Sequence, residues 1–158
     1  MTDLLSRRAG DVTAGVALLA FPFVTAIVKL IAPGWMALIY LMGLMVFVPL
    51  YVLVVVIVIT GFFARRSPFA FVTGGRLRAR TAAWLHIAAF ILATAVLVDG
   101  GDDGSWTSPL ALTLGFPSNS AFADAANVAF VPLTVLSGAA LVWLLVEWIV
   151  ALRARRNL

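Results

Sequence analysis

Charge is nearly excluded from four long stretches of this chain, and the arginines gather at their margins. Apolar residues fill about 12–31, 35–63, 81–98 and 125–152, whereas every arginine lies at a chain end or in the connection from Arg65 to Arg80. Roughly 20 apolar residues in an α-helix cross a hydrocarbon core of about 30 Å. Helix is favoured over strand because lipid offers no partner to backbone N–H and C=O groups. That holds even for Val52–Ile59, whose β-branched run would read as a strand in water. The pattern predicts an all-α, integral membrane bundle of four transmembrane helices, forming one domain over 1–158. Arginine and lysine collect on the cytoplasmic side of bacterial spans. Both termini and the connection 64–80 are therefore expected in the cytoplasm, and 99–124 outside it, with the chain in a bacterial inner membrane.

Composition agrees. The 158 residues are 63% hydrophobic and 11% charged, with a mean hydropathy of +1.10, against roughly 45–50% and about 25% in soluble domains. The net charge of +4 does not indicate nucleic acid, because the basic residues flank spans, where they meet lipid headgroups and set orientation. Cysteine is absent, which excludes disulfides, thiolate catalysis and iron–sulfur centres. A single histidine, His86, excludes bis-histidine haem within one chain, and no cofactor is expected. Ser6-Arg7-Arg8 has the twin arginines of an export signal, but Ala9-Gly10-Asp11 interrupts the apolar continuation, so the first run is read as an uncleaved span.

Within the spans, Pro22, Pro49 and Pro132 mark kinks. Lys29, near the outer end of the first span, is expected to snorkel to the interface. Ala32-Pro33-Gly34 reads as a tight outer turn. The second apolar run is long enough for a helix of about 43 Å, so it must bend or protrude. Trp35, Trp84, Trp106 and Trp148 fit an interfacial belt. The outer connection carries four of the seven acidic residues and apolar side chains that suit it to capping the bundle. Spans one–two and three–four share no repeat.

Ionisable side chains inside spans are costly and form the first functional candidates. Glu147 lies six positions before Arg153, and His86 six positions after Arg80. That count puts both at one depth, on helical stripes containing alanines, and predicts a His86–Glu147 hydrogen bond or ion pair between spans three and four. Such a pair serves either as a tie between helices or as part of a proton relay. A third reading has Glu147 snorkelling toward Arg153. Asp99, Asp102 and Asp103 form an acidic turn with only part of a calcium-loop ligand set, Leu110 standing where a bidentate acid is required. Arg65, Arg66, Arg76, Arg78 and Arg80 are candidates for contact with anionic lipid or an acidic partner. Ser137-Gly138 lacks an upstream glycine and a suitably placed base, so an intramembrane serine hydrolase is not expected.

Gly61-Phe62-Phe63-Ala64-Arg65-Arg66-Ser67-Pro68-Phe69, followed by Gly75-Arg76-Leu77-Arg78 before a span, resembles an uncharacterised bacterial family of small four-helix inner-membrane proteins. In that family a "G…PF…RLR" element joins spans two and three, and a glutamate with a basic cluster closes span four. Glu147 and Arg153-Ala154-Arg155-Arg156 correspond here, whereas the short Ala32-Pro33-Gly34 connection departs from the pattern. The resemblance implies a four-helix fold and a membrane sensing or docking role, some members accompanying small DNA-binding regulators. The residues themselves supply no catalytic constellation. The expectation is a non-enzymatic accessory subunit or membrane-bound regulator acting through a protein partner or a homo-oligomer. The alternative is a small oligomeric transporter or channel using His86 and Glu147.

Overall fold

The computed structural model describes residues 2–32, 34–35, 42–100 and 104–157. They are mostly helical, and four helical segments are long and apolar enough to cross a membrane. Helix α1 (Thr2–Leu30) leads to α2 (Leu44–Ile57), which widens into a π-helical turn, Val58–Phe62. A short 3-10 turn (Pro68–Phe71) precedes α3 (Gly75–Val96). Strands β1 (Asp99–Gly100) and β2 (Trp106–Thr107) pair antiparallel, Asp99 opposite Thr107. Helices α4 (Pro109–Thr113) and α5 (Ala121–Val128) follow, and α6 (Phe130–Arg156) closes the chain.

Helix α3 is the centre of the packing. Half of its apolar window is buried, against 28% for α1 and for α2 and 17% for the α5–α6 segment. Its buried surface is made largely of small residues, Ala79, Ala82, Ala83, Ala89 and Ala93. Short side chains let helix backbones approach closely where no hydrophobic effect drives helices together. Helices α6 and α1 pack against α3, and Leu18 of α1 and Leu144 of α6 are fully buried. Helix α2 joins the core through its C-terminal half, where Val54, Ile57, Val58 and Phe62 are buried, while Met45 to Leu50 are exposed.

The π turn is a packing device. A Cβ at Gly61 would lie 2.6 Å from the Phe69 ring, so the glycine leaves room for that fully buried phenylalanine. Phe62 and Phe69 then sit with ring centroids 5.3 Å apart. Trp148 of α6 donates its indole N–H to Thr60 Oγ1 at 3.0 Å, and Tyr51 donates to the Leu19 carbonyl at 3.0 Å. Both bonds tie α2 and its π turn to neighbouring helices, a role for Trp148 beyond the interfacial belt expected of it.

Several expected boundaries move, beginning with α1, which starts at Thr2 and not at 12. Helix α3 starts at Gly75, not at 81, because Gly74 takes a left-handed conformation (φ 70°) that ends the preceding turn. Residues 64–80 are thus not one solvated loop: Pro68 and Phe69 are buried and Arg76 to Arg80 are helical. The fourth span is divided at Ala129 into α5 and α6, which fits Pro132, whose ring conflicts with a helical carbonyl at Val128. The described residues of the connection 99–124 are structured, with a β-pair and α4 whose Ser108 hydroxyl caps the Ala111 N–H at 3.1 Å. Pro33 of the expected Ala32-Pro33-Gly34 turn and residues 36–41 of the second apolar run lie outside the described residues.

Candidate functional site

The start of α3 holds the densest polar arrangement. At about 100° per residue, Arg76 and Arg80 share one helix face and Arg78 points to the other side. The first pair faces α1, where Arg76 Nη1 lies 3.5 Å and Arg80 Nε 3.6 Å from the buried carboxylate of Asp11. Arg78 faces α6, where its Nε and Nη2 donate to the two carboxylate oxygens of Glu147 at 2.7 and 3.1 Å. Such forked pairing is the strong form of an arginine–carboxylate contact. Arg78 also donates to the Thr73 carbonyl at 2.9 Å, and Trp143 donates its indole N–H to Glu147 at 3.2 Å, one helical turn away. The two carboxylates offset three arginines crowded at a helix N-terminus, where the macrodipole disfavours positive charge. Alternate arginines thereby bolt α3 to both neighbours.

The predicted His86–Glu147 pair does not form. His86 Nδ1 lies 2.8 Å from Ser137 Oγ and 3.1 Å from the Ser137 carbonyl, and Glu147 is occupied by Arg78. The cause is the register of two antiparallel helices. Ser137 and Glu147 are ten residues apart on α6, about 15 Å along the axis. Counting from Arg80 as the helix start misplaced the depth of His86, since the arginines are already helical. Glu147 does not reach toward Arg153 either.

His86 and Ser137 are both buried, at 5% and 2% exposure. The imidazole meets Phe21 edge-on at 5.0 Å and lies 6.1 Å from Phe90. The Ser137 hydroxyl is also 3.3 Å from the His86 carbonyl. Two hydrogen arrangements satisfy this knot: Nδ1–H donating to the Ser137 carbonyl while the hydroxyl turns to the His86 carbonyl, or the hydroxyl donating to Nδ1. The structure therefore supplies the base that Ser137 lacks in sequence, at nucleophile–base spacing. Aromatic packing seals the pair, however, and its bonds run between α3 and α6 as a tie.

At the opposite end Lys29 does not snorkel. Its ammonium is buried 2.9 Å from Asp99 Oδ2, joining α1 to β1. Gly34 permits this: a Cβ there would lie 2.5 Å from the Asp99 carboxylate. Asp99 Oδ1 also accepts the Gly100 N–H at 3.0 Å. The Asp99 carboxylate of the acidic turn is thus turned inward to a lysine, while Asp102 and Asp103 lie outside the described residues. Among the described residues no three metal-ligating side chains converge. Nearby, Trp106 donates to Asp124 at 3.1 Å, and Phe116 stacks on Phe122 at 4.1 Å, which folds the connection between α3 and α6 onto itself. Arg65 and Arg66 are exposed.

Asp11 and Ser137 were the partners that sequence reading missed. The i, i+4 spacing of Arg76 and Arg80 carried a signal for Asp11, hidden by assigning them to a loop. No protein-family model matches the chain, and comparison with curated proteins and with solved structures returned no match.

Proposed function

We propose that this chain is a non-enzymatic, bacterial inner-membrane protein with both termini in the cytoplasm, an accessory subunit or membrane-bound regulator that works through a protein partner. The observation that carries this reading is the disposition of its polar groups. Asp11, Arg76, Arg78, Arg80 and Glu147 are engaged with one another at one end, Lys29 and Asp99 at the other, and His86 with Ser137 between them. Groups spent on holding helices together are not arrayed as a path for ions or as a reacting centre. The exposed arginines Arg65, Arg66, Arg153, Arg155 and Arg156 offer a basic surface at the end where both tails would emerge, suited to an acidic partner.

Affinity purification in a mild detergent, followed by native mass spectrometry, tests this. The expected result is a stoichiometric, larger partner lost when Arg65 and Arg66 are changed to glutamate. A homo-oligomer that conducts ions in vesicles would replace the reading with a channel.

A further inference from the structure

The groove between α1 and α3 has chemistry that the inter-helix ties do not use. It is an open cleft of about 720 Å³ at the arginine-rich end, bordered by Gly10 and Thr13 of α1 and by Arg80, Thr81, Trp84 and Leu85 of α3. We propose that it binds the headgroup of an anionic phospholipid, with the acyl chains running along Trp84 and Leu85. The inference rests on the bilayer-spanning part of the preceding proposal and is independent of any protein partner.

Three features on the two helices converge on that ligand. First, Arg76 and Arg80 bring two positive charges to one carboxylate, Asp11, so this cluster retains a positive charge beside the cleft. The Asp11 contacts also restrain both guanidinium groups. Second, Gly10 leaves the space in which the Arg80 guanidinium lies across α1, since a Cβ there would collide with Nη1. The guanidinium is thereby presented at the floor of the cleft rather than extended into water. Third, Thr81 stands exposed on α3, offering a hydroxyl donor, and Trp84, 45% exposed, lies one turn beyond Arg80 on the side toward the apolar span. Phosphate oxygens accept from guanidinium and hydroxyl groups. Tryptophan prefers the depth where headgroup meets chain. Polar donors toward the helix start and apolar surface beyond it match the polarity order of a lipid entering from the side.

Native mass spectrometry of the full chain in detergent, supplied with equal dioleoylphosphatidylglycerol and dioleoylphosphatidylcholine, tests the site. Wild type should retain the anionic lipid about fivefold over the zwitterionic one, the preference expected of one basic residue near a membrane surface. Arg80→Gln should bring the two lipids to parity. Because that change also disturbs Asp11, Thr81→Val serves as the second arm and should weaken the preference with the ion pairs intact. A tenfold excess of inorganic phosphate should leave the lipid bound. Parity in wild type, an undiminished preference in either variant, or displacement by phosphate (a free-anion site) would each overturn the proposal.

Discussion

Replacing Ser137 by alanine separates a structural tie from a reactive dyad. The substitution removes a hydroxyl that lies 2.8 Å from His86 Nδ1 and 3.3 Å from the His86 carbonyl. It leaves nothing buried without a partner, because Nδ1–H can donate to the Ser137 main-chain carbonyl at 3.1 Å. Hydrogen bonds between membrane helices average about 0.6 kcal/mol and reach about 1.7 kcal/mol, so Ser137→Ala should cost close to the lower figure. His86→Ala removes the same bond and also the ring contacts with Phe21 and Phe90. Aromatic pairs contribute about 0.5–1.5 kcal/mol beyond area, which brings the expected loss to about 1–3 kcal/mol. Unfolding in mixed micelles of both single variants and the double variant reads these losses, and the coupling energy should approach the Ser137→Ala cost. A fluorophosphonate probe supplies the chemical arm: at 2% exposure, Ser137 should not be labelled in the folded protein. Labelling at Ser137, or a serine loss larger than the histidine loss, would refute the argument.

Other substitutions act on other contacts. Asp99→Asn leaves the buried Lys29 ammonium without its opposite charge, and breaking a buried pair from one side typically costs about 3–5 kcal/mol; detergent melting of this variant beside Lys29→Met/Asp99→Asn should show the double variant recovering part of the loss. Gly15→Val should destabilise by about 1–3 kcal/mol, since a Cβ there already lies 2.7 Å from Phe63 and 3.1 Å from Phe62, and the same unfolding assay reads it. Glu147→Gln in proteoliposomes should leave proton flux equal to wild type while changing the emission of Trp143, whose indole N–H it holds. Faster or slower proton movement in that variant would reopen a relay through α6.

The helical class and the approximate positions of the apolar segments were legible because apolar length is a strong constraint in lipid. Individual contacts were less so. Arg76, Arg78 and Arg80 were visible as a basic cluster, but their meaning depends on where the helix begins, and that is decided by the left-handed Gly74. Once α3 begins at Gly75, the same residues are divided between two neighbours by helical geometry. His86 and Glu147 stood out as ionisable groups within apolar runs, yet their partners depend on interhelical register. Nothing in the sequence specifies an offset of ten residues on an antiparallel neighbour. Lys29 has the long stem of a snorkelling lysine, and only the folding of the connection after α3 brings Asp99 to it. A serine among apolar residues carried no visible sign that a base would come from 51 positions away.

Labelling of introduced cysteines with a membrane-impermeant maleimide examines the transmembrane arrangement directly, in a chain that has no cysteine of its own. In intact cells stripped of their outer membrane, Thr113→Cys and Ser118→Cys should react at once, whereas Ala70→Cys and Asn157→Cys, all at exposed positions, should react only after lysis. Immediate reaction at Ala70 or Asn157, or protection at both Thr113 and Ser118 until the cells are opened, would contradict a four-span bundle with its guanidinium groups on the inner side.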